Sequence, residues 1–387
     1  MTAVSVPTPT APRRGLPQGS QEKKTRVFVA SQGTLIWWRF RKHKPALISA
    51  VVLILIYLVV LFAEFFAPFP QENYSVKYTY APPQTLQIFL NGPNGLEFRP
   101  HVLGYKSVLN QESLKRVFTL DPEQVVPVQF FAQGEPYLLM GFIPATTHLL
   151  GPTAKEDPMY LLGADRLGRD VFSRMVYGTR ISMTIGLVGV TISLLLGILL
   201  GGISGFFGGW VDIAIQRTIE FIISIPSIPL WLGLSAALPS DWSPIQVYFA
   251  ITLILSLRGW TGLARVVRGR FLSLREEEFV MAAALDGSSE LRLIFLHMLP
   301  SFMSHIIATV TLAIPEMILA ETSLSFLGLG LRAPAVSWGV LLQEAQNVRS
   351  VVQAPWLLVP AVGVILAVLT FNFLGDGLRD AADPYSR

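Results

Sequence analysis

Residues Ala46–Phe66 read ALISAVVLILIYLVVLFAEFF, an apolar run in which Glu64, near its end, is the only charged residue. The hydrocarbon core of a bilayer is about 30 Å thick and takes roughly 20 apolar residues in a helix, so this run reads as a membrane span. It lies too far from the N-terminus for a signal peptide, and the polar residues ahead of it contain no apolar h-region. The span therefore belongs to the mature protein. Composition agrees, because 51% hydrophobic and 14% charged residues suit a membrane protein and not a soluble domain. The absence of cysteine excludes disulfides, thiolate metal sites and a thiol nucleophile. A net charge of +4 raises nucleic acid as a partner, but the basic residues flank apolar segments and form no patch interleaved with aromatics, so membrane topology accounts for them.

Upstream of the run, residues 1–45 carry nine Lys or Arg against the single acid Glu22, which predicts a cytoplasmic tail. Trp37 and Trp38 suit the headgroup level, and the basic cluster Arg39, Arg41, Lys42 and Lys44 suits contact with anionic lipid. Downstream, residues 67–160 contain no span and read as a small extracytoplasmic inserted domain, with short strands in Val128–Phe142 around a turn at Gln133-Gly134. His101 and His148 lie in it without a third ligand nearby, and read as packing or surface residues and not as a metal site. Arg166–Met183 has the spacing of an amphipathic helix lying at the interface.

Five more apolar segments follow, at Ile181–Phe206, Ile213–Leu238, Ile245–Leu263, Met303–Gly328 and Trp356–Leu374, and six spans return the C-terminus to the cytoplasm. The expected fold is an all-α polytopic membrane protein: tail 1–45, first span 46–66, insertion 67–160 and a five-helix core 161–387. Residues 258–300 then fall in the cytoplasm with Arg258, Arg265, Arg268, Arg270, Arg275 and Arg292, in accord with the positive-inside rule. Charges inside spans are costly unless paired or facing water. Arg217 and Glu220, three apart on a helix, read as a structural pair. Glu316, beside Pro315, and Glu321 are candidates for lining a translocation pathway, and for Glu321 a hydrogen bond to a neighbouring helix is an equal reading.

No Gly-Lys dipeptide occurs, which excludes a Walker A phosphate cradle, and neither His-Glu-x-x-His nor Gly-x-Ser-x-Gly is present. The chain reads as a non-enzyme without metal or cofactor of its own. Its most informative segment is the cytoplasmic loop 270–300, where FVMAAALDG at Phe279–Gly287 precedes HMLP at His297–Pro300. It reads as helix, glycine break, helix, with Ala282, Ala283 and Ala284 offering a surface that a partner approaches closely, Gly287 permitting the turn, and Glu276, Glu277 and Glu278 favouring the helix dipole.

This spacing resembles the EAA loop of binding-protein-dependent ABC transporter permeases. The resemblance implies that Ala282, Ala283, Leu285, Gly287, Leu299 and Pro300 couple the chain to an ATPase. Met281 stands where the name-giving glutamate usually does. LGADRLGRD at Leu162–Asp170, YGTRIS at Tyr177–Ser182, ILAE at Ile318–Glu321 with LSFLGLG at Leu324–Gly330, and Pro334, Ser337, Trp338 and Gly339 resemble the second membrane subunit of dipeptide and oligopeptide permeases. That likeness implies peptide import into a prokaryotic cell across its inner membrane, with oligosaccharides or other small solutes as the alternative cargo. It also implies a homologous second permease, two ATP-binding subunits that hold ATP and Mg, and an extracytoplasmic substrate-binding protein. The insertion at 67–160 is longer than the usual loop of that family. An ion-coupled secondary transporter, the rival reading, calls for repeated halves, and no repeat is visible.

Overall fold

The computed structural model describes residues 32–92, 95–109, 111 and 116–382. Most of the basic tail, with Glu22, therefore lies outside the described residues. Two short helices lead in and out of the first span: α1 (Gln32–Phe40) and α3 (Ala63–Phe66), with α2 (Lys44–Leu61) between them. Helix α2 starts where it does because Pro45 fits the first turn and the Ala46 N–H donates to His43 Nδ1 at 3.2 Å. Glu64 lies beyond its end, where Arg180 meets both carboxylate oxygens and also donates to the Val60 carbonyl at 2.8 Å.

The described residues between 87 and 152 include a four-stranded antiparallel meander, β1 (Gln87–Gly92), β2 (Gly95–Leu109), β3 (Arg116–Leu139) and β4 (Ile143–Pro152). An all-α description is therefore corrected to a helical membrane protein carrying a β-sheet. The turn is also corrected, from Gln133-Gly134 to Met140-Gly141, where both residues take positive φ (54° and 83°). Gly134 lies within β3 against the His148 ring, where a Cβ would collide. His101 and His148 are both buried, their Nδ1 atoms bonded to the carbonyls of Arg99 (2.7 Å) and Ala67 (2.6 Å).

Helix α4 (Val171–Phe207) is one helix of 37 residues, so the expected interfacial helix at Arg166–Met183 is not separate from the span that follows. Its start is set by Asp170, whose carboxylate accepts from the Ser173 N–H at 2.7 Å and Oγ at 2.6 Å. The stretch expected as a straight span at Ile213–Leu238 is instead α5 (Gly209–Ser224) and α6 (Ser227–Ala236), bent by 87°. Pro226 sits at the break, where it disfavours helical backbone at Ile225 (ψ 125°). Helix α7 (Pro244–Leu274) opens with a capping box between Ser243 and Gln246. Glycines of α4 let it pack closely on α7: Gly197 meets Leu263, Gly201 meets Ala264 and Gly205 meets Arg268, in the same order along both helices, which makes them parallel.

Helix α8 (Glu278–Leu285) and a helical hook, made of Glu290–Arg292, a π-helical Leu293–Met298 and Leu299–Ser301, lead to α9 (Met303–Phe326). Short helices α10 (Trp338–Gln343) and α11 (Val348–Gln353) precede the last long helix, α12 (Val359–Ala382). Among the described residues five helices are long and apolar enough to cross a membrane, and the bent pair α5–α6 makes up to six. The main core joins Met183, Ile185, Leu255, Ile318, Trp338 and Phe371 from α4, α7, α9, α10 and α12.

Candidate functional site

The segment between α7 and α9 folds as helix, glycine break, helix. Gly287, at φ 81°, donates to the Ala284 carbonyl at 3.1 Å, and Ser288 donates to the Ala283 carbonyl at 3.1 Å. These two bonds are a Schellman closure, which needs a left-handed residue at the position Gly287 occupies. Glu278 lies in the first turn of α8, where its charge complements the helix dipole.

Helix α8 is two-faced. Val280 is buried and Ala283 half-buried, and both pack on a cluster of Val267 and Phe271 from α7, Ile294 and Met298 from the hook, and Phe302 and Ile306 at the start of α9. The rings of Phe271 and Phe302 meet edge to face at 5.7 Å. Leu299 is buried in the same cluster, whereas Ala282, Leu285, Gly287 and Pro300 are exposed. Leu285 is 89% exposed, with Met281, Leu291 and Leu296 exposed beside it in sequence. The six residues expected to contact an ATPase therefore divide: four face outward, and Ala283 and Leu299 join the loop to the long helices. Val280 thus joins α8 to Phe271 of α7 and to Phe302 at the start of α9.

Arg217 Nη1 lies 2.6 Å from Glu220 Oε2 in an exposed pair on α5. Glu316 is exposed on α9 after Pro315, which remains within a continuous helix. Glu321 is fully buried and accepts hydrogen bonds from Ser337 (2.7 Å), Ser325 (2.8 Å) and Ser182 (3.3 Å), tying α9 to α4 and to the start of α10. Its side chain is closed to solvent within this chain.

Three ionic features escape hydropathy and spacing. Arg258, expected at the start of a cytoplasmic segment, lies within α7 and reaches the carbonyls at the end of α5. Arg268 holds both carboxylate oxygens of Asp212 at 2.5 Å, and Asp212 also accepts from Ser204, so α4, α5 and α7 are tied at one end. Asp165 meets Arg169 (2.6 Å) and Arg174 (2.5 Å), and Glu344 completes the cluster at 3.2 Å from Arg169. Burial pushes the Glu344 carboxyl up, aided by the charge of Asp165, while Arg174, Arg169 and Arg166 hold it down. Arg166, Arg169 and Asp170 in LGADRLGRD were the available signal, since three charges in five residues ahead of an apolar helix suit a capped and paired turn. Among the described residues no group of three or more His, Asp or Glu is placed to hold a metal ion.

Residues 194–387 match the family described as the binding-protein-dependent transport system inner membrane component. The chain belongs to that family. Residues 31–83 of this permease also match the N-terminal TM domain of oligopeptide transport permease C. The permease is 37% identical over 244 residues to the oligopeptide transport system permease protein OppC of Bacillus subtilis, covering 63% of this chain and 77% of that one. It is 39% identical over 240 residues to the dipeptide transport system permease protein DppC of Alkalihalophilus pseudofirmus, covering 62% and 75%. The resemblance to dipeptide and oligopeptide permeases is thus borne out. Among solved structures, a chain of the inward-facing methionine ABC transporter MetNI aligns at a TM-score of 0.42 and 16% identity, over 54% of this chain and 96% of that one.

Proposed function

We propose that this permease is a membrane subunit of an ATP-driven peptide importer, and that α8 is the helix through which ATP hydrolysis by partner subunits moves the spans. The observation that carries the reading is the exposed Leu285 on a helix whose opposite face, at Val280, shares a core with Phe271 and Phe302. The chain performs no covalent step. Two ATP-binding partners hold ATP and Mg, a homologous permease completes the pathway, and an extracytoplasmic binding protein delivers the peptide. ATP-driven closure of the partners biases the spans between inward and outward openings by its differential affinity for the two states.

Six crossings with both termini in the cytoplasm agree with two packing relations. Since α4 and α7 are parallel, the chain between them returns across the membrane, so the bent pair α5–α6 counts as one crossing. Gly377 of α12 packs on Ala46 and His43 at the start of α2, which supports a start of α2 and an end of α12 on the same side. The β-sheet then lies on the extracytoplasmic side. Glu316, exposed in a span beside Pro315, is proposed to line the pathway, and undiminished transport by a well-expressed Glu316→Gln protein would remove that role.

Purification tests the whole reading. Co-elution with two ATPase chains and a second permease is expected, together with ATPase activity stimulated by the loaded binding protein. Transport by the isolated chain in vesicles energised only by an ion gradient would overturn it.

A further inference from the structure

The β3–β4 hairpin ends in a tip unlike that of a soluble sheet. From Pro136 to Ala154 there is no Lys, Arg, Asp or Glu, and the turn reads LLMGFI at Leu138–Ile143. Hairpin turns in water favour Asn, Asp and Gly. Here Leu138 is 55% exposed, Phe142 70% and Ile143 44%, and Met140 is held at a positive φ that only glycine adopts freely. Apolar side chains gathered on an exposed projection mark a surface meant for something other than water.

The position of the tip says what that something is. Phe131, at the root of the hairpin, has its ring 6.2 Å from that of Phe65 in α3. Helix α3 packs on both β3 and β4, the Met140 backbone comes close enough to Glu64 to act on its carboxyl, and His148 Nδ1 bonds the Ala67 carbonyl at 2.6 Å. Glu64 and its partner Arg180 stand just past the end of α2, an apolar helix of 18 residues. At 1.5 Å per residue such a helix is about 27 Å long, close to the thickness of the hydrocarbon core. The ion pair thus marks the depth at which hydrocarbon gives way to headgroups, and the hairpin tip is fixed to it.

We propose that the tip of the β3–β4 hairpin is a lipid anchor, with Leu138, Phe142 and Ile143 seated at the headgroup–acyl boundary of the leaflet where α2 ends. Because the tip carries no basic residue, its insertion draws on apolar area and not on anionic lipid. The anchor fixes the height and tilt of the whole sheet above the membrane. It is independent of the cargo and of the ATPase contact.

This chain has no cysteine, so a single introduced one is unique within it, and the partner subunits are used in cysteine-free form. Phe142→Cys and, separately, Ile143→Cys in the assembled transporter are labelled with an environment-sensitive fluorophore and reconstituted into nanodiscs of phosphatidylethanolamine and phosphatidylglycerol. Phe89→Cys, at an exposed site on β1, is the control. Both tip labels are expected to emit to the blue, to lose roughly half their intensity to lipids brominated high on the acyl chain, and to respond equally when phosphatidylglycerol is omitted, while the control stays unquenched. Three results overturn the proposal: tip labels unaffected by brominated lipid, a tip already shielded in detergent by the second permease, or a tip shielded only when the binding protein is added.

Discussion

Arg258 Nη1 donates to the Ile225 carbonyl at 2.8 Å, across the break between α5 and α6, with the carbonyls of Ile222 and Ile223 at 3.5 Å. A helix end leaves carbonyls without partners, and at membrane depth water is not there to replace them. The guanidinium also carries the sign that a helix C-terminus favours. Arg258→Met is expected to destabilise the permease by about 1.5–3 kcal/mol, the worth of a charged hydrogen bond, and Arg258→Lys by less. Thermal unfolding of the purified complex in detergent checks this. Equal midpoints for Arg258→Met and the unaltered protein would show that the bend does not rest on Arg258.

The acceptor bonds of Glu321 come from neutral hydroxyls, Ser182, Ser325 and Ser337, in a site closed to solvent. An amide of the same shape still accepts at one oxygen and donates to a serine, whereas an alkyl group leaves three buried hydroxyls to find other partners. Glu321→Gln is therefore expected to cost about 1 kcal/mol and Glu321→Leu about 3 kcal/mol or more. Peptide uptake should survive the first and fall with the second in step with the amount of assembled complex. Loss of uptake in Glu321→Gln at normal assembly would instead give Glu321 a role in transport itself.

The spans were legible because hydropathy reports how much apolar surface must leave water, and Ala46–Phe66 announces that directly. Direction is a different matter. Ile213–Leu238 is mostly apolar, and Pro226 marks where its helix breaks, but hydropathy gives no sign that the two halves meet at 87°. Arg166–Met183 misled because Leu167 keeps helical spacing with Val171 while belonging to a turn, closed by Gly168 at φ 73° and capped by Asp170. The loop 270–300 was readable as helix, break and helix because its stop is written in one residue, Gly287. Which of its residues face outward was not, because Ala283 and Leu299 are as small or apolar as Ala282 and Leu285. The division depends on Phe271 and Phe302, which flank α8 in sequence and come to lie on one side of it only through the packing of α7 and α9.

Asp170 gives the permease a stability that varies with pH. Burial pushes its carboxyl up to about 6 from 3.8, the bonds from Ser173 and Phe172 oppose the rise, and the charge of Asp165 adds to it. The folded protein thus binds the proton more tightly than the unfolded chain, so this contribution is complete below about pH 4 and is lost as pH rises through about 6. Two pH units of difference correspond to roughly 3 kcal/mol as an upper bound. Asp170→Asn keeps a good helix cap without a buried charge. Compared with the unaltered protein, it should lose less stability between pH 5 and pH 7.5, measured as unfolding midpoints in detergent. Parallel curves for the two proteins would assign the pH dependence elsewhere.

Gly287 separates conformation from contact at α8, the helix proposed to meet the ATPase. Its φ of 81° is costly for most side chains, but a Cβ there has nothing within 4 Å, so a large residue fits within this chain and projects outward. Asn tolerates the left-handed region and should preserve the Schellman closure. Gly287→Asn is expected to keep most of the ATPase activity stimulated by the binding protein. Gly287→Trp should lose about tenfold, equivalent to 1.4 kcal/mol, because its ring occupies the surface a partner must approach. Met281→Gln, at a half-exposed position with no charge to lose, should stay within about twofold, since the contact rests on close packing and not on a salt bridge. Assays on complexes matched for assembly decide the matter. If Gly287→Trp were as active as Gly287→Asn, the outer face of α8 would not be the surface that receives the ATPase.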